Sequence, residues 1–264
     1  MMSLSRIESN ANPIVKLFRS LHQRKSRQIE GVFLGEGPKI VDEAVNSDWP
    51  LAHVLFLESE IESLSPLLAA IQSKQPGAQC YLVNQKVLEA ASDTRTPQGV
   101  VASIRLPSSF DALPDAGFGL YLDALQDPGN VGAMLRSADA LGAQWILLGG
   151  SCADPYAPKT VRAAMGSTFH LPIYQAKDAA DALHVLREKG FFLLAADLQG
   201  ESTLPASLPS DTVLMIGNEG RGLSDESLHA ADLRYRLPMK GRTESLNAAA
   251  CAAILLYECA AHIR

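Results

Sequence analysis

The chain has 264 residues, of which 47% are hydrophobic and 20% are charged. This composition is too apolar for an intrinsically disordered chain and is typical of a globular protein with a sizeable core. The longest uncharged apolar run, residues 248–257, is half the ~20 residues that a membrane-spanning helix needs, and residues 1–13 lack the apolar segment of a signal peptide, so neither is predicted.

Charge is distributed unevenly along the chain. The net charge is −6, yet the first 31 residues hold six lysines and arginines against two acidic residues. A basic arm on an acidic body indicates a polyanionic partner, with a solvated helix face as the alternative. The four cysteines show no CxxC spacing, which argues against a zinc ribbon or a disulfide framework and favours a reducing, cytoplasmic location.

The first hundred residues alternate between helical and extended patterns. Asn12 and Pro13 are a typical N-cap and first helical residue, and the basic residues lie between apolar ones at helical spacing as far as residue 27. Extended segments are predicted at 32–34, 51–57, 80–83 and 100–104, and helices from Pro38, at 61–71 and at 86–91. These elements predict a small N-terminal α/β domain over residues 1–106. Residues 107–119, rich in proline, serine and glycine, are the predicted linker.

The same alternation resumes in residues 120–264. Strands are predicted at 120–125, 145–148, 171–174, 191–196, 213–216 and 235–237. Helices are predicted at 131–141, 158–164, 179–188, from about 225, and at 246–262. Strands that alternate with helices predict a mostly parallel sheet covered on both faces.

Three polar, glycine-rich segments follow strands of this second domain. They are residues 127–132 with Arg136 on the following helix, residues 217–222, and residues 237–247. Ligands of open α/β sheets bind outside the carboxyl ends of the strands, so these segments form the predicted site. The alternative is purely structural: tight turns at the glycines, with Asn130 and Ser245 as helix N-caps.

Other chemistries lack their motifs. The first strand is not followed by GxGxxG, and neither a P-loop nor a GxSxG elbow occurs. The six histidines are scattered without HExxH or another ligand pair, so no metal site is predicted. Cys251 and Cys259 lie on an apolar helix and are interpreted as small buried residues.

The three segments, in this order, resemble the signature motifs of the SpoU/TrmH family of RNA 2′-O-ribose methyltransferases. The matching stretches are QDPGNVGAMLRSADALGA, VLMIGNEGRGLS and YRLPMKGRTESLNAAACAAILLYE, with DPYAPKTVRAAMGSTFHLPI between the first two. In the N-terminal part, FLGEGPKIVDEAV and TPQGVVASI are similar to the substrate-binding domain of the family.

The resemblance implies a SPOUT fold, a parallel-sheet domain with a deep trefoil knot, in an enzyme that binds S-adenosylmethionine and acts as a homodimer. It implies no metal. Residues implied to hold the cofactor are Gly217, Leu237, Met239 and Leu246. Residues implied to form the catalytic cluster are Asn130, Arg136, Glu219, Ser245 and Asn247.

Arginine is a poor base because its guanidinium stays protonated, so Arg136 is assigned to binding a phosphate and stabilising a developing alkoxide. The basic residues Arg19, Arg24, Lys25 and Arg27 are predicted to contact RNA phosphates. Ribosomal RNA is the preferred substrate and transfer RNA the alternative. Two further alternatives are a non-catalytic RNA-binding or ribosome-assembly protein of the same fold, and a nucleotide-dependent oxidoreductase, which lacks its fingerprint.

Overall fold

The computed structural model describes residues 4–107, 112–241 and 246–264. They form two compact units. The first consists of the described residues up to 107 together with Tyr156–Phe169, and the second of the other described residues beyond 111. The predicted domain boundary is a single one at 107–119, and the return of residues 156–169 to the first unit differs from it. Residues 108–111 of that predicted linker lie outside the described residues.

The elements follow one another along the chain in the predicted alternation, except that strand Ser5–Ile7 was not predicted and the strand predicted at 235–237 lies at Leu233–Tyr235. The strands are β1 (Ser5–Ile7), β2 (Val32–Glu36), β3 (Leu51–Leu57), β4 (Gln79–Val83), β5 (Val100–Arg105), β6 (Gly119–Leu122), β7 (Trp145–Leu148), β8 (Ile173–Gln175), β9 (Phe192–Glu201), β10 (Thr212–Ile216) and β11 (Leu233–Tyr235). The helices are α1 (Pro13–Ser20), α2 (Arg24–Glu30), α3 (Pro38–Asn46), α4 (Ser65–Lys74), α5 (Gln85–Ala91), α6 (Pro128–Ala140), α7 (Pro158–Ala164), α8 (Ala179–Glu188), α9 (Asp225–Ala230) and α10 (Ala248–His262).

The sheet of the first unit has the strand order β1-β4-β3-β5-β2, with β5 antiparallel to both its neighbours. Successive strand residues point to opposite faces, so the sheet separates two hydrophobic clusters. Segment 156–169, which includes α7, belongs to one of them. The Tyr156 ring lies 5.0 Å from that of Phe33, and the Trp49 indole donates to the Phe169 carbonyl at 3.0 Å. The segment therefore completes the core of the first unit.

The predicted basic helix 14–27 is two helices, so that prediction was wrong. As predicted, Asn12 caps α1, accepting a hydrogen bond from Ile14 N at 2.8 Å. The chain leaves the helix at Leu21, which is fully buried, and Gln23 has an extended backbone. Arg27 on α2 donates to the Leu21 carbonyl at 2.6 Å. A buried side chain thus satisfies a carbonyl at the break between the helices.

The sheet of the second unit has the order β11-β9-β10-β6-β7-β8, and each of these pairs is parallel. The predicted parallel sheet is confirmed. After β6 the chain adds β7 and β8 on one side of that strand. It then crosses to the other side, where β9 and β10 are added. The strand order therefore reverses between β6 and β10, and open α/β sheets bind ligands at such a switch point.

Side chains cap the helices that begin at this edge. Asp127 caps α6 by accepting from Asn130 N at 2.9 Å, and Asn247 caps α10 by accepting from Ala249 N and Ala250 N. Asn130 is therefore in the first turn of α6 and not its cap. Ser245 lies outside the described residues. Within the part of the chain that the structure describes, no helix is long and apolar enough to cross a membrane.

Candidate active site

A cavity of about 400 Å³ opens at the carboxyl edge of the sheet in the second unit, a volume typical of small-molecule sites. Its walls are residues 196–199 after the core of β9, residues 216–223 after β10, residues 235–239 around the end of β11, and the start of α10. The four residues predicted to hold a cofactor all line it: Gly217, Leu237, Met239 and Leu246. The structure thus brings together residues from four separate chain segments.

The wall contributed by residues 217–223 is a tight loop. Asn218 and Gly222 exchange backbone hydrogen bonds at 2.8 and 2.9 Å, and Gly222 has the left-handed φ of +73° that favours glycine. A Cβ on Gly217 would lie 2.1 Å from Gly222 C and Leu223 N. The loop therefore closes tightly on itself beside the cavity.

Sequence reasoning missed the wall formed by residues 196–199. The predicted strand ended at residue 196, but β9 continues to Glu201. Asp197 and Gln199 are polar residues that follow the buried strand core, which is the signal that identified the other three segments. Applying the carboxyl-end rule to every predicted strand would have found them.

A polar network lies at the rim of the cavity. The Asn130 amide donates to Glu219 Oε1 at 2.8 Å, and its carbonyl oxygen accepts from Asn247 Nδ2 at 3.2 Å. Glu219 itself lines the cavity and is exposed, whereas Asn130 is half-buried. Three of the predicted catalytic residues are therefore hydrogen-bonded to one another although they are far apart in the chain.

Arg136 is not in this network. It lies six residues beyond Asn130 on α6, roughly 240° around the helix axis at 3.6 residues per turn. Its side chain is exposed and makes no hydrogen bond or ion pair with any described residue. The guanidinium is thus presented to solvent.

Replacing Asn130 by aspartate is expected to separate Glu219 from α6. The variant sets a carboxylate against the Glu219 carboxylate where an amide donor stood, and like charges at this distance repel. We expect the activity of the site to fall about tenfold at neutral pH and to recover in part as the pH is lowered, because protonating one carboxyl restores a donor. A pH–rate profile of both proteins measures this.

The matched control is Asp127→Asn, which keeps an acceptor oxygen for the Asn130 backbone at the same helix start. Equal rates for wild type and Asn130→Asp across the pH range would exclude the Asn130–Glu219 bond from catalysis.

Cys251 on the cavity wall is not set up as a nucleophile. Burial raises its pKa, with a smaller contribution from the nearby Glu258 charge, so the thiol stays protonated at neutral pH. Cys259 on the same helix is buried, and burial raises its pKa to about 12. Among the described residues, no three His, Cys, Asp or Glu side chains are grouped so that they could hold a metal ion.

The basic residues of the first unit divide into two kinds. Arg19, Arg24 and Lys25 are exposed on α1 and α2. Arg27 is only 3% exposed and bonds the Leu21 carbonyl. The prediction that Arg27 contacts RNA phosphate was therefore wrong: an amphipathic basic segment does not reveal which of its arginines turns inward to satisfy backbone.

Comparison with known proteins decides the family. The model of the SpoU rRNA Methylase family matches residues 117–257, more than half of the chain. The chain belongs to this family. A second model, the MRM3-like substrate binding domain, matches residues 12–102 of this SpoU family member. The resemblance drawn from the three motifs is confirmed.

Relatives of this SpoU family member match along nearly its whole length. The 23S rRNA (guanosine(2553)-2′-O)-methyltransferase RlmP of Bacillus subtilis is 35% identical, covering 96% of this chain and 98% of its own. An AdoMet-bound rRNA methyltransferase from Sinorhizobium meliloti has a TM-score of 0.86 and 34% identity over 98% of both chains. AviRb, a SpoU methyltransferase from Streptomyces viridochromogenes in complex with AdoMet, has a TM-score of 0.82 and 29% identity over 95% of this chain and 97% of its own.

Proposed function

We propose that this SpoU family member transfers a methyl group from S-adenosylmethionine to a ribose 2′-hydroxyl of ribosomal RNA in the cytoplasm. The observation that carries the proposal is the cavity at the switch point of the sheet, with the Asn130–Glu219–Asn247 network on its rim. The relatives named above as rRNA methyltransferases support the choice of RNA.

The residues of the cavity suit this cofactor. Leucine and methionine side chains, among them Leu237 and Met239, offer an apolar surface to an adenine ring and a methylthio group. The backbone of residues 217–222 offers N–H and C=O groups to the polar atoms. When bound, S-adenosylmethionine supplies an electrophilic methyl group on a sulfonium. We also propose that the chain after β10 is threaded as the trefoil knot that the family resemblance implies.

The polar residues have separate roles in the proposal. The exposed Arg136 guanidinium binds an RNA phosphate and stabilises negative charge that develops on the 2′-oxygen. Asn130, held between Glu219 and Asn247, orients the ribose. Ser245 remains a proposed member of this cluster. Positioning the hydroxyl oxygen in line with the transferred group is the main contribution of such a site.

A titration and a mapping experiment test the function. Calorimetry with S-adenosylmethionine, and with NAD as the competing ligand, should show binding of the first alone. Mapping 2′-O-methyl groups in ribosomal and transfer RNA from cells with and without the gene should show one or more ribosomal sites lost. Loss of a methylated site in transfer RNA instead would make transfer RNA the substrate. Normal methylation in cells without the gene, together with cofactor binding in vitro, would favour a role in ribosome assembly.

RNA docking is proposed to use the exposed basic residues of the first unit, the part matched by the substrate-binding model. Replacing Arg19, Arg24 and Lys25 by alanine should weaken RNA binding and flatten its dependence on salt, because fewer counterions are released. Binding measured from low to moderate salt checks this.

Arg27 is kept in that variant because it is structural. A matched control replaces three exposed acidic or neutral residues of the same helices. If the slope of log affinity against log salt concentration is unchanged in the triple variant, the basic residues of α1 and α2 are solvent-exposed and do not contact RNA.

We propose a homodimer that uses α10. Ile254 and Tyr257 on this helix are 40% and 65% exposed, although the helix is apolar on all sides, and apolar exposure of this kind is typical of an interface. Tyr257→Glu should give a monomer by light scattering, whereas Val185→Glu, an exposed apolar site on α8, should not. A wild-type monomer, or a dimeric Tyr257→Glu variant, would contradict this.

A further inference from the structure

Asp123 is a buried carboxylate directly after β6. Its residue is only 6% exposed, and it makes no ion pair with any described residue. Asp123 Oδ2 accepts hydrogen bonds from Ser224 N at 2.9 Å and from the Ser227 hydroxyl at 2.7 Å. Burying a carboxylate is costly unless it is well hydrogen-bonded, so this arrangement needs a reason beyond filling space.

Two of the hydrogen bonds of Asp123 go to the two ends of one loop. The loop runs from Ile216, the last residue of β10, to Ser224, the N-cap of α9. The Asp123 N–H donates to the Ile216 carbonyl at 2.8 Å, where the loop begins. The carboxylate accepts from Ser224 N, where the loop ends.

Ala124, the residue after Asp123, is hydrogen-bonded to Asn218 in the middle of the loop. Asn218 Nδ2 donates to the Ala124 carbonyl at 2.9 Å, and Asn218 Oδ1 accepts from Gly220 N at 3.0 Å. Ala124 has a φ of +54°, a left-handed conformation that non-glycine residues rarely adopt. Residues 123 and 124 thus contact the loop at its start, its interior and its end, and the same chain segment leads into α6 and Asn130.

We propose that Asp123 is a positioning residue that fixes the loop 217–223 against α6, and thereby sets both this wall of the cavity and the place of Glu219 beside Asn130. Asp123 touches neither the cavity nor the polar network itself. The inference rests on the proposed function, because the loop is one wall of the proposed cofactor site.

The test compares two substitutions of Asp123. Asp123→Ala leaves Ser224 N and the Ser227 hydroxyl without their acceptor, and should weaken S-adenosylmethionine binding about tenfold while lowering kcat. Asp123→Asn keeps an acceptor oxygen and should stay within about threefold of wild type. The KM for RNA should be unchanged in both, since the exposed basic surface is intact.

A matched control separates positioning from stability. Asp211 Oδ1 accepts from Gly117 N at 2.7 Å, before β10 at the other edge of the same sheet. Asp211→Ala should lower the thermal midpoint but leave cofactor affinity unchanged. Hydrogen exchange without cofactor gives a second readout: the Ser224 amide should exchange faster in Asp123→Ala than in wild type or Asp123→Asn.

Each outcome decides a separate question. Wild type that does not bind S-adenosylmethionine overturns the proposed function, while faster Ser224 exchange in Asp123→Ala would still support the positioning role. A folded Asp123→Ala protein with wild-type affinity and wild-type exchange overturns the inference alone. If Asp123→Ala does not fold, Ser227→Ala replaces it, with an expected loss of about threefold in affinity; an unchanged affinity there overturns the inference.

Discussion

Arg136→Ala is expected to lower the single-turnover rate of methyl transfer by about 10² or more, with unchanged affinity for S-adenosylmethionine. The guanidinium is exposed and unpaired with any described residue, so its removal leaves no buried partner unsatisfied and should not disturb the fold. Its effect should therefore come from RNA bound at the site. Arg136→Lys should recover little if the guanidinium binds in bidentate fashion.

The control for Arg136 is Arg187→Ala on α8, which removes an exposed arginine of the same unit that pairs with Asp232 at 3.7 Å. It should retain the wild-type rate. A near-normal rate for Arg136→Ala would remove this arginine from the mechanism and make Glu219 the principal catalytic group.

Gly217→Ala is expected to weaken S-adenosylmethionine binding about tenfold or more. The added Cβ would lie 2.1 Å from backbone atoms of Gly222 and Leu223, so the loop has to open. The collision is with the loop itself and not with a ligand. The wall of the cavity is displaced, while the strands beneath it are untouched.

Gly220→Ala is a matched control in the same loop. Its Cβ would be 3.6 Å from Asn218 Oδ1, an ordinary contact, and its φ is outside the left-handed region. We expect its affinity to stay within about twofold of wild type. Calorimetric titration of both variants, with circular dichroism to show that each is folded, makes the comparison; equal affinities would mean that the loop does not contact the cofactor.

The sequence predicted β7 and β10 well because these two strands are continuous apolar runs. Residues 145–148 are buried along their whole length and bounded by polar or glycine residues, so the prediction and β7 coincide. The candidate site was predicted for a related reason: many of the residues that line it follow predicted strands and are glycine, asparagine or charged. Contacts between these segments, such as Asn130 with Glu219, depend on strand order, which periodicity does not give.

Other features could not be predicted because the sequence does not show where in the fold a side chain packs. Segment 156–169 has apolar residues that fit any core, and only the structure shows Tyr156 and Phe169 beside Phe33. In the sequence, Arg27 looks like the exposed basic residues around it. It is buried because it donates to the Leu21 carbonyl, which lacks a helical partner where α1 ends. For Asp123, nothing local shows that its partners lie a hundred residues later, at Ser224 and Ser227.

The return of Tyr156–Phe169 to the first unit sets an order of events during synthesis. Domains generally fold as units while the chain leaves the ribosome, N-terminal domain first. Here the first unit cannot complete its core until residue 169 has emerged, by which time β6, α6 and β7 of the second unit are already outside. A nascent chain stopped near residue 106 should therefore remain sensitive to protease at the Phe33 face, and protection should come only with chains that extend beyond residue 169.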